Sequence, residues 1–317
     1  MNSPCILLMG PTASGKTDLA ISLLKHFPCD IISVDSAMVY RGMNIGTAKP
    51  DLDILAKAPH RLIDIRDPTE TYSVGQFCTD ALAEIKAIQA VGRIPLLTGG
   101  TMLYFHSLQY GLSVLPPANP QVRQRLNLEA EQIGWAAMHQ RLLNIDPKAA
   151  QRIHPNDTQR IQRALEVYEI SGETMTAWFA KPPTQEWSYP TIKIIIAPTQ
   201  RSIIHARIEE RFNIMLEQGL IDEVRALFQR DDLNPDLPSM RSVGYRQVWR
   251  YLAGELDYTS LPEKVIIATR QLAKRQLTWL RTQTEAHWFD SLAPNMTQEV
   301  LKLLEKSTQK LNTEITV

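Results

Sequence analysis

A chain of 317 residues with 44% apolar side chains holds enough material for one large domain or two of ordinary size, each with a substantial core. Lysine plus arginine (34) equals aspartate plus glutamate (34), so overall charge gives no argument for nucleic acid or membrane, and any basic surface has to be local. Cys5, Cys29 and Cys78 are odd in number and lack C-x-x-C spacing, which argues against a disulfide framework and a zinc site; with no apolar stretch of membrane-spanning length and a first strand too early for a signal peptide, a cytoplasmic protein off the membrane is expected.

The first apolar run, Cys5 to Met9, reads as a buried strand and leads directly into Gly10-Pro11-Thr12-Ala13-Ser14-Gly15-Lys16-Thr17. This segment fills the G-x4-G-K-[ST] pattern. Its glycines let successive N–H groups turn toward one phosphate, Lys16 supplies a compact positive charge, and the Thr17 hydroxyl can reach a magnesium ion. A helix over Lys16 to His26 adds its N-terminal dipole to the same anion. Strands follow at Ile31 to Val34 and Ile94 to Thr98, with a helix at Val74 to Ala90 between them. Continuous apolar strands alternating with helices indicate a parallel sheet covered on both faces.

The pattern breaks at Leu115-Pro116-Pro117-Ala118-Asn119-Pro120, and only helical periodicity runs from there to about Glu173. A second proline-bearing stretch, from Lys181-Pro182-Pro183 to Pro190, returns to a strand at Lys193 to Ala197. Long helices at about 200 to 229 and 262 to 283 follow, then a short strand at Ala286 to Phe289 and a solvated, frayed tail. The chain thus reads as α/β, a P-loop NTPase-like parallel-sheet core with an inserted all-helical subdomain. Residues 1–113 form the first part of the core, 114–190 the insertion, 191–290 the second part, and 291–317 a C-terminal helix and tail.

Asp35 ends the second strand, where ligands of open α/β sheets bind, so it should share a crevice with the phosphate loop. Its residue type leaves three roles open: a magnesium ligand through water, a general base, or a structural cap. Gly99-Gly100-Thr101 places a hydroxyl at the same sheet edge, as a substrate-orienting group or a plain turn. Arg207 and Arg211 lie four apart on one helix face, either wet or reaching the phosphates. Positive charge gathers at Gln159 to Arg163, at Met240 to Arg246 and at Thr269 to Arg281, where Arg270, Lys274 and Arg281 would form a basic stripe. Interleaved Gln, Tyr and Trp suit RNA, although each segment alone would also suit a solvated face. No histidine pair has metal-binding spacing.

Taken together, Gly10 to Thr17, the block Asp35 to Pro50, Gly99-Gly100-Thr101, Pro155-Asn156-Asp157 with Arg160 to Glu166, Ser242 to Arg246, and Thr269 to Trp279 resemble the bacterial tRNA dimethylallyltransferases over residues 5 to about 290. The resemblance implies transfer of a dimethylallyl group from dimethylallyl pyrophosphate, with Mg²⁺, to N6 of the adenosine 3′ of the anticodon (position 37) in a tRNA anticodon loop. The phosphate loop then holds a prenyl pyrophosphate instead of a nucleotide. The family's catalytic base falls on Asp35, its adenine-positioning hydroxyl on Thr101 and its pyrophosphate arginine on Arg211.

Family contacts to tRNA fall on Asp35, Ser36, Ala37 and Met38, on Arg123, on Gln159, Arg160, Ile161, Gln162 and Arg163, on Met240, Arg241, Ser242, Val243, Gly244 and Tyr245, and on Ala273, Lys274, Arg275, Gln276, Leu277, Thr278, Trp279 and Leu280. Ala37 and Met38 stand where many members carry Gln or Leu types, and Asn44 replaces a common aspartate. A monomer without a zinc-finger extension is expected. The rival readings are a small-molecule kinase and a non-catalytic RNA-binding NTPase.

Overall fold

Strand β1 (Cys5–Met9) buries all five side chains and lies at the middle of a sheet, with β4 on one side and β5 on the other. In chain order the first part of this sheet contains β1, α1 (Lys16–Leu24), β2 (Cys29–Val34), α2 (Leu52–Lys57), β3 (His60–Arg61), α3 (Val74–Ala90), β4 (Ile94–Gly99) and α4 (Met102–Tyr110). After five further helices among the described residues come β5 (Thr191–Ala197), α10 (Arg201–Glu217), α11 (Leu220–Phe228), α12 (Tyr245–Leu252), α13 (Leu261–Leu280), β6 (Ala286–Asp290) and α14 (Met296–Glu314). The computed structural model describes residues 3–113, 115–182 and 187–314, with side chains to residue 308; Val114, Pro183 of the second proline stretch and the last three residues of the expected tail lie outside them.

All pairings are parallel, and the strand order is β3-β2-β4-β1-β5-β6. The phosphate loop, Asp35 and Gly100 follow β1, β2 and β4, so the parallel register delivers all three to one edge. The two-residue strand β3 was not visible in the sequence, because His60 and Arg61 show neither alternation nor an apolar run.

Two further differences have local causes. The helix expected over 200–229 breaks after α10, where Gly219 adopts φ 94° and starts α11. The tail expected to be frayed instead packs inward, with Val300 and Leu304 fully buried against Leu19 and Leu23 of α1. That helix is amphipathic, and its apolar stripe is what makes packing outweigh its polar composition.

The chain divides into two compact units, Met1–Ser107 with Ser188–Val317, and Leu108–Trp187. Among its described residues the second holds helices and no strand: α5 (Pro120–Ile133), α6 (Trp135–Ile145), α7 (Pro147–Arg152), α8 (Thr158–Ser171) and α9 (Met175–Ala180). Leu126, Met138, Leu142, Ile161 and Leu165 form its core. Asn119, Asp146, Asp157 and Thr174 each accept a hydrogen bond from an N–H of the first turn that follows, fixing four of the five helix starts. Among the described residues no helix is long and apolar enough to cross a membrane.

Candidate active site

The phosphate loop places two residues at positive φ, Ala13 at 62° and Gly15 at 86°, with Ser14 between them outside that region, an alternation that suits an anion nest of successive N–H groups. Ala13 holds this conformation against the preference of its own side chain, strain of the kind that collects at binding loops. Lys16 folds over the loop, donating to Pro11 O at 2.7 Å and Ser14 Oγ at 3.5 Å. Burial, then the nearby charge of Arg211, pushes the Lys16 ammonium down to about 7, partly opposed by Asp35.

Ile204 and Ile208 of α10 pack on Ala13 and Ala273. This contact brings Arg207 and Arg211, which flank that apolar stripe, to the loop: Arg207 donates to Ala13 O at 3.4 Å. Arg211 titrates below its ordinary value because of burial, with Asp18 opposing and Arg207 adding to the fall. The purely wet face that the helix's charge also allowed is therefore not its arrangement. Lys16 lowered by Arg211, and Arg211 in turn by Arg207, mark a site short of negative charge.

Across the cleft, Asp35 Oδ1 accepts from the N–H groups of Ala37 at 2.8 Å and Met38 at 3.2 Å, while Oδ2 has no hydrogen-bond partner among the described residues. One oxygen is fixed as a cap and the other is unengaged. Thr101 Oγ1 accepts from the Ser36 N–H at 3.1 Å, and Thr101 N–H donates to Val34 O at 3.2 Å, so the turn after β4 is tied to the turn after β2.

Two positioning side chains were not legible in the sequence. Gln276 of α13, placed by the family pattern among RNA contacts, is buried and bridges the site: its Oε1 accepts from the Thr12 N–H at 2.8 Å and its Nε2 donates to Gly100 O at 2.9 Å. Glu223 of α11 accepts from three successive N–H groups, Asn44 and Ile45 at 2.8 Å and Gly46 at 3.1 Å, and from the Tyr245 hydroxyl. A Cβ on Gly46 would lie 2.5 Å from the Tyr245 ring, so only glycine lets loop and ring meet. Asn44 accepts from Lys49 Nζ at 2.9 Å, and that lysine also donates to Tyr40 O and Asp64. The whole Asp35 to Pro50 block is thus held by partners on distant elements.

The structure sorts the remaining expected RNA contacts. Ile161, Met240, Tyr245, Ala273, Gln276 and Leu280 are buried, so their side chains pack or bond internally. Ser36, Arg241, Lys274, Arg275, Thr278 and Trp279 are exposed, while Ala37, Met38, Ser242, Val243 and Leu277 are partly so. The basic stripe of α13 is also turned: Arg270 faces α10 and pairs with Glu209 at 3.2 Å. In the helical unit, Arg123 and Arg163 both grip the fully buried Glu166, at 2.9 Å and 2.6 Å, and the Asn119 N–H adds a third donor at 2.8 Å. Burial alone would raise the Glu166 carboxyl, yet these donors hold it below its usual range. Gln162 donates to Asn127 at 2.6 Å, and Gln159 and Arg160 are exposed.

One cleft of about 1680 Å³ takes in the phosphate loop, Asp35, Thr101, Arg207, Arg211, Arg241, Arg275 and Trp279. That exceeds the roughly 300–1,000 Å³ of a single small-ligand pocket. Thr17 lines it beside Lys16 with a hydroxyl that has no hydrogen bond among the described residues, and no cluster of three or more His, Cys, Asp or Glu forms there among those residues. This donor set fits magnesium held mainly by phosphate oxygens and water, with Thr17 as a protein ligand.

A family model described as IPP transferase matches residues 38–283. The chain is 57% identical over 282 residues to a tRNA dimethylallyltransferase of Thioalkalivibrio sulfidiphilus, covering 89% of this chain and 88% of that protein. It is 55% identical over 300 residues to a tRNA dimethylallyltransferase of Coxiella burnetii, covering 95% and 96%. The full-length tRNA isopentenylpyrophosphate transferase of Bacillus halodurans superposes with a TM-score of 0.74 at 33% identity over 100% of both chains. A eukaryotic dimethylallyltransferase acting on tRNA superposes at 0.79 with 24% identity, over 98% of this chain and 80% of that one, which shows a shared fold. With a family match over most of its length and relatives more than half identical along nearly all of it, the chain belongs to the IPP transferase family of enzymes.

Proposed function

We propose that this enzyme transfers a dimethylallyl group from dimethylallyl pyrophosphate to N6 of the adenosine 3′ of a tRNA anticodon, position 37. The observation that carries the reading is the polarity of the cleft. Lys16, Arg207 and Arg211 gather at one side around a phosphate nest, and the unpartnered Asp35 Oδ2 lines the other. The names of the Thioalkalivibrio and Coxiella relatives support the same activity.

In this mechanism the N6 lone pair forms a bond to C1 of the donor as the C1–O bond breaks and its electron pair leaves with pyrophosphate. Asp35 Oδ2 takes the proton that N6 sheds. Lys16 and Arg211 stabilise the charge developing on the leaving group, and Arg207 braces the loop through Ala13 O. A divalent cation held at Thr17 would add Lewis-acid stabilisation of the same oxygens. Holding the two reactants in line supplies up to about 7–11 kcal/mol in ideal cases. The adenine must leave the loop stack, at a cost of a few kcal/mol. Trp279, exposed in the cleft and edge-on to His106 at 5.4 Å, offers an aromatic face to receive it.

Incubating the pure protein with tRNA and labelled dimethylallyl pyrophosphate, and in parallel with labelled ATP, tests the reading. Label is expected on adenosine 37 from the prenyl donor only. Transfer from ATP to a small acceptor, with none from the prenyl donor, overturns it in favour of a kinase.

A further inference from the structure

Outside the catalytic cleft, α12 and α13 enclose a second hollow of about 310 Å³, lined among others by Arg246, Gln247 and Arg250 of α12 and by Lys264, Ile267 and Gln271 of α13. Arg246 and Lys264 are exposed and form no ion pair among the described residues, while Arg250 pairs only with the exposed Glu255 at 3.0 Å. A surface pair of that kind holds weakly and can exchange for another anion. Three cations facing a hollow with two amide side chains and an apolar patch match a sugar-phosphate unit, which presents an anion, hydroxyls and a ribose face.

The hollow is connected to the cleft by helix geometry. Lys264, Gln271 and Arg275 are seven and eleven residues apart, separations at which α-helical side chains fall on one line, and Arg275 lines the catalytic cleft. At 1.5 Å per residue, that line covers about 16 Å of helix axis. A repeating anion such as a polynucleotide backbone can touch both ends of it, and a single small anion cannot. This line is distinct from the Arg270, Lys274 and Arg281 stripe expected from the sequence.

We propose that the hollow between α12 and α13 is a second RNA site, holding a backbone phosphate of the same polynucleotide whose base enters the cleft, with Lys264, Gln271 and Arg275 as the track between them. The proposal rests on the tRNA reading above. Its test is the affinity of an anticodon stem-loop RNA, by fluorescence anisotropy across a salt series, for wild type and for Arg246→Gln with Lys264→Gln. The paired substitution is expected to weaken binding about fivefold or more and to make the log–log salt slope shallower by about 0.7 to 0.9, the loss of one phosphate contact.

Melting temperatures taken alongside show whether the variants are folded. Arg250→Gln, on the same hollow, answers the question if either of the other positions proves necessary for folding. Wild-type affinity and slope in folded variants would overturn the second site. A wild type that binds no RNA would overturn the tRNA reading instead. Tight binding of a mononucleotide, lost in the same variants, would overturn the polynucleotide assignment.

Discussion

The catalytic cleft and the helical unit use arginine in opposite ways. In the cleft, Arg207 and Arg211 have no ion pair among the described residues, and their mutual repulsion leaves the site hungry for an anion. In the helical unit, Arg123 and Arg163 are tied to Glu166, and Arg125 and Arg141 to Glu169. The same residue type stays open to an anion where its charge is uncompensated and is a structural brace where it is satisfied. A count of basic residues along a chain does not separate the two.

The largest effect expected on the cleft side is at Asp35. Asp35→Ala and Asp35→Asn should both lower turnover by roughly two to four orders of magnitude, measured under saturating substrates, with tRNA affinity within a few fold. Asparagine keeps an Oδ1 acceptor for the Ala37 and Met38 N–H groups, so an active Asn variant beside a dead Ala variant would make Asp35 a cap alone.

On the brace side, Glu166→Ala should destabilise the helical unit by about 3 kcal/mol, the lower end for breaking a buried pair because the Arg123 side chain stays 44% exposed. Denaturant melts followed by circular dichroism would show it. Because the carboxyl is held below its unfolded value near 4.5, the stabilisation is present above that pH and fades as acid protonates the folded group; a melt in which Glu166→Ala and wild type differ equally at every pH would contradict the ion-pair account.

Gln276→Glu is expected to raise the donor KM about tenfold, since a carboxylate still accepts from Thr12 but faces Gly100 O with no proton to give. An unchanged KM would free the phosphate loop from this bridge. Smaller still is a proton. With Lys16 near 7 in the free site, dimethylallyl pyrophosphate should restore its charge, so binding at pH 8 takes up about one proton that a Lys16→Met variant does not. Calorimetry in buffers of different ionisation enthalpy measures it, and equal uptake in both proteins would remove the charge deficit. Least of all, Arg160→Ala should weaken tRNA binding slightly and reduce the salt slope by about one, whereas Arg163→Ala should show chiefly as lost stability. The reverse order at these two positions would break the contrast between exposed, loosely paired arginines and bracing ones.

Much of the fold was readable because it is written in contiguous residues. The run Cys5 to Met9 with Gly10 to Thr17 specifies strand, nest and helix start within a few residues, and the parallel alternation placed Asp35 and Thr101 at the same sheet edge. Interactions between distant segments escaped it. Nothing local marks Glu223, and only the fold brings the Asn44, Ile45 and Gly46 N–H groups, 179 to 177 residues away, onto it. Likewise Val300 and Leu304 belonged to a polar helix until α1 supplied the surface that buries them.

By itself the sequence determined the strand, loop and helix around residues 5–26 and the chain order of the longer strands that carry the site. Both follow from local backbone preference and hydrophobic period. Tertiary structure alone decided which charges are free, which oxygen of Asp35 is unengaged, and that Gln276 joins Thr12 across 264 residues. The physical reason is that pairing and burial set the electrostatic value of a side chain, and both belong to neighbours that the chain brings from elsewhere.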